Sequence, residues 1–448
     1  MRVAPLVATL ALGSLLYAPA LAAQAPAAAV DRAFAAFWAA ADPEQAAARV
    51  DAVVQSGVTF GDALARLRKG RPYSATVKRG RQDLALSIRA GRIAPNGLPH
   101  PYTVIVPDSY DPAKPIPVRV QLHGGVGRPL RDPPQGGDAA DRIPGTTEEI
   151  YVLPNAWPES MWWQDLQRVN IIGILDRLKR TYNVDENRVY LTGISDGGTG
   201  TYFFAFREPT PFAAFLPLNG HMGVLASPGV GADGAMFAGN AVNKPFFVVN
   251  GGRDPLYPAA GVAPFVAHLR TLGTEMVFRV QAEAGHNTAW WEDERPSFEA
   301  FLAAHPRNPL PARLSWQTEQ PARSGRIDWL VIDRLGAVAG ETDFPETNLI
   351  DVDGQRLRLF PQPALTGRVD LLQRGNTVEA LTEGVAAFTL LLSPDQFDFT
   401  RPLVVWVNGR KVLEGVVQPS VRTLLEWAAR DNDRALLFGA ALPIEVRA

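Results

Sequence analysis

Cysteine is absent from all 448 residues of the chain. That excludes disulfides and a lipid-modified cysteine near the N-terminus, so the folded protein must hold together by packing alone. Neither sign of charge dominates: 44 Lys and Arg face 46 Asp and Glu, the net charge is −2, and no basic stripe runs along the sequence. Nucleic acid is therefore not an expected partner. Long apolar runs are missing after the first 25 residues, so no later segment is expected to cross a bilayer. Histidine is scarce, at six residues, which leaves few choices for any step that needs an imidazole.

What is present, 46% hydrophobic and 20% charged residues, is ordinary for a soluble globular protein. More than one folded unit is expected, because domains usually hold ~100 to 200 residues. The first 25 residues, MRVAPLVATLALGSLLYAPALAAQA, carry Arg2, an apolar run to Tyr17, and Ala20-Leu21-Ala22 as a small-residue cleavage site. This is the layout of a bacterial signal peptide, which predicts a periplasmic or secreted protein with no stable membrane insertion after cleavage.

Residues 27–73 read as a helical extension. Asp42 then Pro43 fits an N-cap followed by proline at the first helical position, Thr59 with Asp62 resembles a capping box, and Gly57 and Gly70 are stop signals. Residues 74–306 change to short apolar runs at 74–78, 84–90, 102–106, 117–122, 149–153, 188–193, 212–218, 245–250 and 275–281. Helical patterns lie between several of them, at 164–181, 196–207, 258–272 and 292–304. Strands alternating with helices predict an α/β unit with a mostly parallel sheet, and the closely spaced early strands predict an antiparallel edge. The proline-rich HPRNPLPARLSWQ, 305–317, marks a boundary. Residues 309–448 read as a C-terminal β-rich domain with one helix at 420–430 and hairpin turns at Asp353-Gly354 and Asn408-Gly409.

Gly193-Ile194-Ser195-Asp196-Gly197 has the pattern G-x-S-x-G. Chance alone would put such a pattern in about one chain in ten of this composition. Its setting says more, since an apolar strand pattern precedes it and a helical one follows, as a nucleophile elbow requires. A serine hydroxyl needs a base, and the base needs an orienting acid. His286, in QAEAGHNTAWW, follows the last strand pattern before a helix and is the candidate base; Asp254, in PFFVVNGGRDPLYP, follows the preceding strand and is the candidate acid. The order Ser195, Asp254, His286 is the chain order of α/β-hydrolases. VRVQLHGGVGRP runs a strand into His123-Gly124-Gly125. The backbone N–H of Gly125 with that of Asp196 would supply two donors for an oxyanion.

Together, strand-HGG, strand-G-x-S-x-G-helix, strand-G-x-x-D and strand-G-H resemble the α/β-hydrolase superfamily over residues 85–305. YTVIVPDSYDP, NRVYLTGISDGG and FAAFLPLNG are similar to its esterase and dienelactone-hydrolase-like branch, which borders the prolyl-oligopeptidase type. The resemblance implies Ser195 as nucleophile, Asp254 and His286 as its partners, and hydrolysis through an acyl-enzyme. Dienelactone hydrolases proper carry a cysteine nucleophile, so a chain without cysteine is not expected to share their substrate. An ester, on a small molecule or linked to a polysaccharide, is the expected substrate. A peptide bond is the alternative, although the N-terminal residues are too few for the propeller of prolyl oligopeptidases. A non-catalytic binding protein acting through its β-rich domain is the other.

Around this constellation, His123, Gly124, Trp162, Trp163, His221 and Trp290 are candidate substrate contacts, with Asn219 beside His221 in NGHMG. Aromatic rings there could wall an acyl pocket or stack on a sugar. GVGADG, 229–234, lacks the strand and helix of a dinucleotide site and reads as a flexible loop over the pocket. No His, Asp and Glu grouping has metal-ligand spacing, and the chemistry needs no cofactor. Oligomeric state is open.

Overall fold

Local capping begins the chain as its sequence predicts. Asp42 accepts the Gln45 N–H ahead of Pro43, and the Thr59 hydroxyl accepts the Asp62 N–H, starting two of four helices: α1 Ala27–Trp38, α2 Pro43–Ala47, α3 Val50–Gln55 and α4 Phe60–Lys69. The computed structural model describes residues 27–87, 99–130, 148–336, 345–352 and 354–446. The expected leader, residues 1–25, lies outside the described residues. Among them, no helix is long and apolar enough to cross a membrane.

Eight strands then form one sheet: β1 Gly80–Ser87, β2 Pro99–Val106, β3 Ile116–Leu122, β4 Ile150–Pro154, β5 Val184–Ile194, β6 Ala214–Leu218, β7 Phe246–Gly251 and β8 Met276–Gln281. Their order is β1-β2-β4-β3-β5-β6-β7-β8. β2 is antiparallel to β1 and β4, and every pairing from β4 to β8 is parallel. The strand expected at 74–78 does not form. Instead the Ser74 hydroxyl accepts the Thr76 N–H at 3.1 Å, a local bond that competes with ladder formation.

Helices α5 Asp165–Thr181, α6 Asp196–Arg207, α7 Ala259–Thr271 and α8 Trp291–Ala304 connect the strands and cover the sheet. Side chains alternate across a strand, so each strand feeds two cores. Along β7, Phe246 and Val248 pack with α5, α6 and α7, while Phe247 and Val249 pack with α8. Strands buried on both faces read as continuous apolar runs, which is why they were visible in the sequence.

The C-terminal region contains a five-stranded sheet, a four-stranded sheet and the hairpin Leu349–Val352/Gln355–Arg358 among its described residues. Asn408 and Gly409 both take positive φ, 49° and 77°, in the turn that joins Val407 to Arg410. This region has a core of its own, around Trp316, Trp329 and Phe388, and it also packs against the rest of the chain. Ile350, Leu359 and Phe360 enter the main core beside α6 and α7, and the helix Val421–Asp431 buries Leu424, Leu425, Ala428 and Ala429 against α1, α3 and α4. The proline-rich boundary is equally fixed, because the fully buried Arg307 side chain donates to Asn187 Oδ1, to the Thr210 carbonyl and to Asp433.

Candidate active site

From β3 the chain moves to β4 on one side and then returns to β5 on the other, which makes the carboxyl ends of β3 and β5 a topological switch point. Ligands bind at such points in open parallel sheets, because adjacent loops diverge there and leave a crevice. His123-Gly124-Gly125 follows β3 and Ser195 follows β5. Asp254 and His286 follow β7 and β8 at the same end of the sheet.

Ser195 has φ 58° and ψ −119°, a conformation that non-glycine residues rarely adopt, between the end of β5 and the first turn of α6. The turn closes only because its neighbours lack side chains: a Cβ on Gly193 would stand 2.1 Å from the Gly197 carbonyl oxygen, and one on Gly197 would stand 2.1 Å from that of Leu122. Strain of this kind, held by surrounding structure, is what aims a side chain out of a sheet.

The hydroxyl so aimed meets an imidazole. His286 Nε2 lies 2.8 Å from Ser195 Oγ, and His286 Nδ1 lies 2.7 Å from Asp254 Oδ2. Asp254 is buried, and its other oxygen accepts the N–H groups of Leu256 and Tyr257 at 2.8 and 2.9 Å. Those donors offset the cost of burying a carboxylate. With Asp254 accepting from Nδ1–H, Nε2 is left bare to accept the serine proton.

The β3 loop presses on this pair. A Cβ on Gly124 would stand 3.0 Å from Ser195 Cβ, and Asp196 Oδ2 accepts the Val126 N–H at 3.0 Å. The N–H groups of Gly125 and Asp196 donate to no carbonyl among the described residues. His123 Nε2 accepts the Ala156 N–H at 3.0 Å, so Nδ1 carries the proton and donates to the Gly124 carbonyl at 2.8 Å. That carbonyl and the Gly125 N–H share one planar trans peptide and point in opposite directions, so fixing the first aims the second.

A carboxyl-end serine on a strained strand-to-helix turn, followed in chain order by its aspartate and histidine partners on one mostly parallel sheet, decides the architecture. The fold is that of the α/β-hydrolases. No family model matches the chain. Over 47 residues, 10% of this chain and 7% of the relative, it is 45% identical to the bifunctional acetylxylan esterase/xylanase XynS20E of Neocallimastix patriciarum. Among solved structures, a thermostable esterase shares 20% identity, with 51% of this chain and 63% of that one covered at a TM-score of 0.38. The Pyrococcus horikoshii acylaminoacyl peptidase shares 17% over 51% of this chain and 43% of that one, with a TM-score of 0.40. The S-formylglutathione hydrolase of Staphylococcus aureus shares 18% over 51% of this chain and 99% of that one, with a TM-score of 0.35. The chain thus spans under two thirds of the first two structures and a small part of the curated relative.

Several side chains expected to touch substrate are placed otherwise. Trp162 is fully buried, donates its indole N–H to the His123 carbonyl at 2.8 Å and packs edge-on to the His123 ring. Trp163 is buried with its indole bonded to the Val230 carbonyl, and Trp290 is buried in the α8 core. Rings exposed by 6% or less give a ligand almost nothing to touch. His221 has both nitrogens engaged, Nδ1 accepting the Gly223 N–H and Nε2 facing the Gly261 carbonyl, with its ring against Phe265, and burial holds its pKa below the usual histidine value. His123 likewise serves backbone. Asn219 is fully buried and bonds backbone alone.

The 229–234 segment is pinned and not a free loop: Asp233 Oδ2 accepts the Asp165 N–H at the start of α5, and Asp233 N–H donates to the Trp163 carbonyl. The residue beside the site that the sequence did not mark is Tyr257. Its ring lies edge-on to His286, centroids 5.8 Å apart, and burial with the carboxylates Asp196 and Asp254 nearby pushes its phenol above the usual tyrosine range. A lone tyrosine after RDPL carries no pattern that could have announced it.

Proposed function

We propose that this α/β-hydrolase cleaves carboxylic esters through an acyl-enzyme. Ser195 is the nucleophile, His286 the general base and then acid, Asp254 the carboxylate that orients it, and the N–H groups of Gly125 and Asp196 bind the oxyanion. The reading is carried by the continuous chain from Asp254 through His286 to Ser195, at 2.7 and 2.8 Å. Of the six histidines, the other five bond to backbone, to Ser160 or to Glu275.

In the first half-reaction, Ser195 Oγ forms a bond to the ester carbonyl carbon as its proton moves to His286 Nε2. The carbonyl π pair becomes an alkoxide held by the two N–H groups. Collapse breaks the bond to the alcohol oxygen, which takes the proton from Nε2 and leaves. Water repeats the sequence on the acyl-enzyme, His286 accepting its proton and returning it to Ser195 Oγ, and the carboxylic acid departs.

The short stretch shared with an acetylxylan esterase supports an ester, on a small molecule or linked to polysaccharide. The leader supports a periplasmic or secreted setting. Turnover of a panel of p-nitrophenyl esters and Xaa-Pro amides tests the substrate class. Hydrolysis of short-chain esters with the amides untouched is expected; turnover of amides alone would make the chain a peptidase.

A further inference from the structure

We propose that Asn219 is a positioning residue that locks the loop bearing His286 to the loop bearing Asp254. This rests on the serine-hydrolase reading above. Asn219 follows β6, is fully buried and has φ 47°, with its own N–H bonded to the Val249 carbonyl at 2.7 Å. Its side chain then reaches both neighbours at once. Nδ2 donates to the carbonyl of Asn287, the residue after His286, at 2.8 Å, and Oδ1 accepts the N–H of Gly251, at the start of the turn that leads to Asp254, at 3.3 Å.

The two loops already lie against each other. Gly252 N–H donates to the Gln281 carbonyl and Arg253 N–H to that of Ala284, at 2.7 and 2.9 Å, and a Cβ on Gly251 would stand 2.5 Å from the Ala284 oxygen. Those bonds stop at Ala284, two residues short of His286. Beyond that point, the backbone groups of residues 285–288 that bond do so within their own loop and to the start of α8, and among the described residues the Asn219 carboxamide is what reaches their backbone from another part of the chain. The position demands a side chain with one donor and one acceptor, short enough for a buried corner and tolerant of a left-handed backbone. Asparagine meets all three needs. Being fully buried, it does not touch substrate, so its effect on chemistry passes through the placement of His286.

Two substitutions separate this role from general support of the fold. Asn219→Gly keeps the positive φ and removes both bonds; Asn219→Asp keeps the shape and the Gly251 bond but sets an oxygen against the Asn287 carbonyl. Rates on p-nitrophenyl acetate, normalised to sites titrated with a fluorophosphonate, are expected to show kcat down about 10- to 100-fold in both, because displacement of a reacting group by ~1 Å costs that much. KM should stay within about twofold of wild type, since uniform binding is untouched. Wild-type kcat per titrated site in either variant would overturn the proposal, and so would a lowered Tm with kcat unchanged. Failure of the wild type to label or turn over any ester or amide would instead overturn the serine-hydrolase reading.

Discussion

The hydroxyl of Ser195 is aimed by its own backbone, and the imidazole that meets it is aimed by a carboxylate with no access to water. Asp254 has a fixed task in this arrangement: it accepts from Nδ1 and so keeps Nε2 bare. Asp254→Asn would turn a donor toward Nδ1, favour the other tautomer and leave Nε2 protonated against Ser195. On p-nitrophenyl acetate we expect kcat to fall about 10⁴-fold with KM little changed, and a loss below tenfold would contradict the assigned role. At this scale the sequence was legible where a residue's task follows from its place at a strand end. Ser195, Asp254 and His286 meet that description, and Gly124 and Gly125 do as well. Trp162, Trp163 and Trp290 show its limit, because a tryptophan near a site looks the same in sequence whether it faces solvent or core. His221 and His123 show another, since only the fold reveals that their nitrogens serve backbone.

Among the elements, the strand-turn-helix from β5 to α6 carries the tightest constraint. The atoms that would meet a Cβ at Gly193 are backbone, which no rotamer change can move. Gly193→Ala is expected to cost about 3 kcal/mol or more in chemical denaturation. Gly415→Ala, where nothing lies within 4 Å of the added carbon, should stay within about 0.5 kcal/mol of wild type. Equal losses in the two variants would remove the steric account of the elbow. The strands from β3 onward were legible because a parallel sheet covered on both faces writes itself as apolar runs. The run at 74–78, Ser-Ala-Thr-Val-Lys, holds β-branched residues but little apolar surface, and local hydroxyl bonds won there.

At the scale of the whole molecule, the C-terminal region is welded to the sheet by buried charge. Asp433 pairs with Lys179 at the end of α5 and with Arg307 after α8; Arg207 pairs with Glu319, and Lys244 with Asp328. Burial alone would raise the Asp433 carboxyl, but Arg307 and Lys179 outweigh it and hold its pKa down to about 2, against 3.8 ordinarily. A depressed native value means stability that is present above about pH 4 and lost as pH falls toward 2. Acid unfolding followed by circular dichroism should show that loss in wild type, and Asp433→Asn should flatten it. The same variant leaves two buried cations short of a partner and is expected to cost about 3–5 kcal/mol at neutral pH. An unchanged denaturation midpoint would contradict the weld. None of these pairs was visible in the sequence, since each joins residues more than 80 positions apart.

The central claim is that Ser195 is a nucleophile activated by His286 and Asp254. Its most direct measurement is the intact mass of wild type and Ser195→Ala after incubation with a fluorophosphonate, with peptide mapping of the adduct. One phosphonyl group on Ser195 in the wild type and none on the variant is the predicted result. An adduct of equal extent on the variant, or no adduct on the native protein, would contradict it.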